Sequence, residues 1–137
     1  MPKSYSPCLA KRHEADSVDE VDYVMSFEEL GAFMVAYDID VANCSEKELN
    51  HEVTKYGRGF AQAGGVQAAV VNAIGNKYSN IHIEGLDKKN QALLKSMAKK
   101  PDAQFVEVMA CDGGCINGPC SLAPLTLAKR QIKKVLE

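Results

Sequence analysis

The sequence predicts an α/β fold, a largely parallel sheet of about four strands flanked by helices. Strand-like runs ("VDYVM", "NIHIEGL", "AQFVEVMA") alternate with longer segments whose apolar residues recur at helical spacing. Alternation of that kind builds βαβ units with parallel strands. The densest group of reactive side chains, three cysteines in "CDGGCINGPC", directly follows the last strand. That is where parallel sheets place their ligand-binding loops.

Taken in order, Tyr23 to Met25 is a short strand running into a helix. Ser26 is placed as its N-cap, and Glu29, three residues on, completes a capping box. Leu30, Phe33, Met34 and Tyr37 then form one apolar stripe. The polar stretch "VANCSEKELNHEVTKYGRGF" predicts a short helix or loop ending in a glycine turn. Gly64 and Gly65 open the next helix, with Val66, Ala69, Val70, Ala73 and Ile74 along one side. "NIHIEGL" alternates as a half-buried strand. Asp87 is positioned to cap a third helix whose Leu93, Leu94 and Met97 point inward. After Pro101 comes the strand "AQFVEVMA", and a last helix from Pro124 to Glu137 turns Leu125, Ala128, Ile132 and Val135 inward. No repeat, linker or low-complexity segment interrupts the chain, so residues 1–137 are expected to form one domain.

A formal net charge of −2 gives no global attraction to nucleic acid or anionic lipid. The lysines of "DKKNQALLKSMAKK" and "AKRQIKK" are interleaved with acidic or apolar residues, as on solvated helix faces. No apolar run approaches the roughly 20 residues needed to span a bilayer, and "MPKSYSPC" lacks a signal-peptide core. A cytoplasmic location is therefore expected, with thiols kept reduced. An odd number of cysteines, five, also argues against a closed disulfide framework.

Cys111 and Cys115 are separated by Asp112, Gly113 and Gly114. Paired glycines permit a tight turn against a bulky guest, and thiolates are the usual ligands of iron–sulfur clusters. Zinc fits less well, because the C-x₃-C spacing has no matching Cys/His pair. From spacing alone three readings stand: metal or cluster binding, redox-active thiols at Cys115 and Cys120, or small buried hydrophobes beside a turn.

Three segments then carry a family resemblance. "FVEVMACDGGCINGP" resembles the third signature motif of the iron-only (di-iron) hydrogenases, E-x-M-A-C-P-x-G-C-x-x-G. "SPCLAKRHEADSVDEVDYVMSFEEL" resembles the second, M-P-C-x-x-K-x-x-E, and "GFAQAGGVQAAV" is similar to the intervening F-G-x-T-G-G-V-x-E-A. They occur in the family's order and cover nearly the whole chain. The resemblance implies a two-lobed catalytic domain holding a 4Fe-4S cluster bridged to a di-iron centre, which interconverts protons, electrons and hydrogen. It implies Cys8 and Cys111 as cluster ligands and Cys115 as the bridging thiolate. Lys11 would hydrogen-bond an iron-bound cyanide, with Glu14 pairing to it one helical turn on. Met109 would bring a soft thioether near the di-iron centre, sharing a strand face with Glu107. Phe60 would wall the site, and Gly64 and Gly65 would bring a helix N-terminus toward an anionic cofactor.

The family's first motif, a T-S-C-C-P-like segment, has no counterpart, since only seven residues precede Cys8. The chain is thus expected to be the C-terminal lobe, supplying three of four cluster thiolates. Its expected partners are an N-terminal lobe in the same native chain or a separate subunit, an electron-transfer or signalling domain, and a second copy through the exposed lobe face. Ser6, Ala63, Asp112 and the run Pro119-Cys120-Ser121 depart from the motifs and resemble a divergent, sensory branch. Cys120 stays open as an extra ligand, a proton carrier or a bystander. Cys44, His13, His51 and His82 match no motif. The expected function is a contribution to hydrogenase chemistry, inactive as this polypeptide alone. The alternative is a non-catalytic cluster- or metal-binding interaction module.

Overall fold

The computed structural model describes residues 3–48, 54–75 and 77–137; His51 lies outside them. The chain divides into two compact units, Met1–Glu52 with Gly118–Ala123, and Val53–Asn117 with Pro124–Glu137.

In the first unit the order is β1 (Lys3–Ser6), α1 (Ala10–Ala15), β2 (Tyr23–Ser26) and α2 (Phe27–Ala36). The strands pair in parallel, Lys3 opposite Tyr23 and Ser6 opposite Ser26, with α1 as the crossover. The predicted capping box forms: Glu29 N–H donates to Ser26 Oγ at 3.2 Å, and Ser26 N–H donates to the Glu29 carboxylate at 2.8 Å. A cap of this kind is worth about 1 kcal/mol. The predicted stripe of α2 is only partly covered. Leu30 and Met34 are half-buried, while Phe33 and Tyr37 are exposed and lie against each other with ring centroids 4.5 Å apart. Two strands are too narrow a platform to cover the full width of an apolar helix face. Val24 and Cys120 are this unit's buried apolar side chains among the described residues.

The second unit contains α3 (Lys55–Arg58), α4 (Gly65–Ile74), β3 (Asn80–Glu84), α5 (Lys88–Met97), β4 (Phe105–Met109) and α6 (Leu125–Leu136). Here α5 is the crossover between parallel strands whose register runs from Asn80 opposite Phe105 to Glu84 opposite Met109. Asp87 caps α5 as predicted, accepting Asn90 N–H at 2.7 Å. Ile83, Met97 and Ala103 are buried, whereas Ala73, Ile74 and Val135, all predicted inward, lie exposed at helix ends. The strands therefore form two separate parallel pairs flanked by helices, one in each unit, and not one four-stranded sheet. The described residues between β2 and β3 include α2, α3, α4 and two 3₁₀ turns. Among the described residues no helix is long and apolar enough to cross a membrane.

Candidate metal centre

The cysteine loop leaves β4 directly. Cys111 is half-buried; Cys115 is exposed and opens a short 3₁₀ turn, Cys115–Asn117. Gly113 and Gly114 both take positive φ, 81° and 87°, which only glycine adopts without strain. Gly114 N–H donates to the Cys111 carbonyl at 3.1 Å and closes the turn. Residues 61–63 lie across it: Gln62 and Gly114 form an antiparallel bridge, and Ala63 N–H donates to the Gly113 carbonyl at 3.2 Å. A Cβ at Gly114 would stand 2.5 Å from Ala63 N and 2.8 Å from Ala61 O. The loop is thus clasped by backbone. The same holds at the start of α4, where a Cβ on Gly65 would come within 1.9 Å of Gly59 O.

Two carboxylates finish this arrangement. Glu84, at the end of β3, accepts Gly113 N–H at 2.8 Å. Glu107, 6% exposed on β4, accepts Gln67 N–H, the third amide of α4, at 2.8 Å. The helix N-terminus that the sequence assigns to an anionic cofactor therefore has that amide taken by the protein's own carboxylate, a favourable place for negative charge. The other Glu107 oxygen, Oε1, is buried without a hydrogen-bond partner. The Gln67 side chain continues the network to Asn80 and to His82 Nδ1, the latter at 3.0 Å. His82 is a satisfied polar residue, lying beside Gly64. Strand alternation is as expected: Val108 is exposed, while Glu107 and Met109 are covered on the opposite face. Phe60 is 48% exposed.

In the first unit, Cys8 is half-buried immediately ahead of α1, and its N–H donates to Ser6 Oγ at 3.2 Å. Ser6, a departure from the family pattern, thus has a local role in fixing the cysteine backbone. Lys11 and Glu14 form the expected ion pair on the exposed side of α1. A second pair, Arg12 with Glu29, joins α1 to the start of α2. The Arg12 hydrogen bond, then that of Ser26 N–H, holds the Glu29 carboxyl down at about 2, and Glu29 raises Arg12 in turn. Cys120 is 4% exposed, and its N–H donates to the Pro7 carbonyl at 3.0 Å.

The predicted residues therefore fall into two sets. Cys8, Lys11 and Glu14 belong to the first unit; Phe60, Gly64, Gly65, Met109, Cys111 and Cys115 belong to the second. Within the second, the Gly64–Gly65 turn and the Cys111–Cys115 loop are brought together through residues 61–63. Among the described residues neither unit gathers three His, Cys, Asp or Glu side chains into a metal-holding set. Sequence reasoning missed the clamps of Glu84 and Glu107. Their signal was present in the equal lengths of two parallel strands, which bring Glu84 level with Met109. The donor set nevertheless fits an iron–sulfur cluster. Two cysteine sulfurs, the usual soft ligands of such clusters, flank one tight glycine turn, and the Cys115 thiol is solvent-facing.

Comparison with known proteins agrees with this chemistry. Residues 4–90 and 68–119 match the family model described as iron only hydrogenase large subunit, C-terminal domain. The chain is 37% identical over 73 residues to Iron hydrogenase 1 of Clostridium pasteurianum, covering 52% of this chain and 13% of that protein. It is 26% identical over 138 residues to a cytosolic Fe-S cluster assembly factor NAR1 homolog of Schizosaccharomyces japonicus, covering 90% of this chain and 27% of the relative. Two solved FeFe-hydrogenase structures share the fold at 17% identity. One reports stepwise H-cluster assembly in HydA(deltaEFG), with a TM-score of 0.61; the other reports oxygen inactivation through the H cluster 2Fe subcluster, with a TM-score of 0.63. This chain spans 51% and 52% of those structures, and they cover 95% and 98% of it. The chain belongs to this family, that of the C-terminal domain in the large subunits of iron-only hydrogenases.

Proposed function

We propose that this chain supplies thiolate ligands to the iron–sulfur active centre of a hydrogenase-type catalytic domain, as its C-terminal lobe. The observation that carries the reading is the clasped Cys111–Cys115 loop at the carboxyl end of a parallel strand, in a chain of this family. Cys8, Cys111 and Cys115 would hold a 4Fe-4S cluster joined to a di-iron group, with Cys115 as the shared thiolate. When bound, that centre supplies the redox chemistry for reversible hydrogen oxidation and proton reduction. The protein's part is ligation, orientation and electrostatics. Glu84 holds the glycine turn so that Cys111 and Cys115 leave it in fixed directions. Lys11 offers a cation to an anionic iron ligand, steadied by Glu14. Met109 and Phe60 line the apolar side.

A second lobe is part of this reading. Among the described residues no large side chain is fully buried, and Val35, Tyr37 and Leu122 are more than half exposed. Surface of that kind is usually covered, and the chain spans half of the solved structures it matches. The complete protein is a cytoplasmic hydrogenase of sensory type, whose N-terminal lobe brings the fourth thiolate.

The Fe-S assembly factor relative favours a second reading, a cluster-binding module without hydrogenase activity. Anaerobic reconstitution separates the two. Cluster ligation predicts iron and acid-labile sulfide bound to the wild-type chain and lost in Cys111→Ser and Cys115→Ser. Folded protein that takes up no iron even with an N-terminal lobe present sinks both readings. Hydrogen uptake that appears only when an N-terminal lobe is added supports the hydrogenase. Stable cluster binding without hydrogen uptake in the complete protein supports the module.

A further inference from the structure

We propose that Cys8 and Cys120 form a reversible disulfide that staples the two segments of the first unit and withdraws Cys8 from metal binding. The withdrawal rests on the ligand role given to Cys8 above; the bond itself does not. The first unit is assembled from two distant parts of the chain, Met1–Glu52 and Gly118–Ala123. They are tied by the hydrogen bond from Cys120 N–H to the Pro7 carbonyl, 3.0 Å long. Cys8 is the next residue after Pro7, so one peptide unit and one hydrogen bond separate the two cysteine backbones. That limits their Cα atoms to a separation of about 7 Å or less, the range a disulfide spans.

Both thiols are free. Leu122, two residues after Cys120, stands against Gly31 of α2, anchoring the Cys120 loop from its other end. The remaining thiol of this unit, Cys44, is exposed and donates to the Asp40 carbonyl at 3.3 Å in its own turn. Cys120 is 4% exposed, so a large thiol reagent reaches Cys8 first.

The chemistry balances with a small disulfide such as oxidised glutathione as the oxidant. The Cys8 thiolate attacks it, forming a mixed disulfide and releasing one glutathione. Cys120 then attacks the Cys8 sulfur and releases the second. Two electrons leave the cysteine sulfurs and two protons end on the glutathione thiols. Excess dithiol reverses both steps. In the oxidised form Cys8 has no thiolate to offer a metal.

The test uses the metal-free full chain in a glutathione redox buffer, quenched by alkylation and mapped by non-reducing proteolysis and mass spectrometry. The expected result is a fall from five alkylatable thiols to three, with Cys44, Cys111 and Cys115 labelled and a Cys8–Cys120 linked peptide recovered. Cys120→Ser should leave Cys8 as a stable glutathione adduct, with the linked peptide lost. Should that variant not fold, a short thiol-bridging reagent on the wild-type chain should span the same two residues. Cys8 linked to Cys44, Cys111 or Cys115, or all five thiols labelled under fully oxidising buffer, overturns the inference. Iron uptake by the reduced chain tests the cluster reading separately, and either result can fail without the other.

Discussion

In the unit that carries Cys111 and Cys115, backbone lies on backbone. Gly65 meets the Gly59 carbonyl, Gly114 meets residues 61–63, and carboxylates from β3 and β4 accept the Gly113 and Gln67 amides. In the unit that carries Cys8, side chains on the surface do this work. Arg12 reaches Glu29, Glu29 reaches Ser26, and a returning loop is tied by a backbone bond at Pro7. Close backbone contact tolerates no added atom and changes little with pH or salt. Exposed ion pairs tolerate substitution well and respond to both. The two thiol-bearing regions should therefore fail in different ways.

The largest effect is expected where backbone meets backbone. Gly65→Ala places a methyl 1.9 Å from a carbonyl oxygen and 2.6 Å from its carbon, neither of which can swing away as a side chain would. Destabilisation of about 3 kcal/mol or more follows from overpacking of this kind. Gly114→Ala adds a strained positive φ to three backbone contacts under 3 Å and should cost about as much. Urea melts give the size. Amide exchange gives the location: protection should fall at residues 59–67 and 111–117 and persist in β1 and β2. Loss of protection across both units alike would mean that the two regions are not separate in stability.

Next in size is Glu107. Glu107→Ala leaves the Gln67 amide without its acceptor and should cost about 1–2 kcal/mol, as lost N-terminal caps do. Glu107→Gln keeps an acceptor for that amide and should cost less than the alanine variant through that retained bond, although its NH2 takes the place of a buried oxygen that has no partner. Equal losses in the two variants would show that the negative charge, not the hydrogen bond, holds the start of α4.

How much of this was legible in the sequence follows the same division. Caps are local, and Ser26 with Glu29 and Asp87 with Asn90 stand where spacing put them. β2, β3 and β4 were legible because periodicity is local too, down to the shared face of Glu107 and Met109, whereas β1, the four residues Lys3–Ser6, was not assigned because so short a polar run carries no alternation. The inward faces of α2 and α6 were overestimated. A periodic stripe says which residues would be covered, not how wide the covering surface is, and with two strands per sheet Tyr37 and Val135 remain in solvent. The glycines were recognised as turn formers, but their partners at residues 59–63 are set by tertiary approach and leave no spacing signal. Cys120 was left open for the same reason, since its neighbour Pro7 is more than a hundred residues away along the chain.

The smallest effect, and the one that isolates the surface mode, is the acid response of Glu29. Its carboxyl is held at about 2 by Arg12 and Ser26, against an ordinary value of 4.5. A carboxyl depressed on folding adds stability above its unfolded value, and that stability is lost as pH falls through the folded one. The contribution should therefore be complete above pH 4.5 and should fade between 4.5 and about 2, with no counterpart at alkaline pH. Carboxyl-detected NMR should show the Glu29 midpoint near the lower figure in the wild type. In Arg12→Ala it should rise toward 4.5 but stop short of it, because the Ser26 amide still donates to the carboxylate. High salt should move the wild-type midpoint the same way, because both partners are solvent-exposed. A midpoint near 4.5 in the wild type at low salt would mean that the Arg12–Glu29 pair does not persist in solution. Cys8 would then be held without that ion pair, through the β1–β2 pairing, its own N–H bond to Ser6 Oγ, the capping box and the Pro7–Cys120 bond.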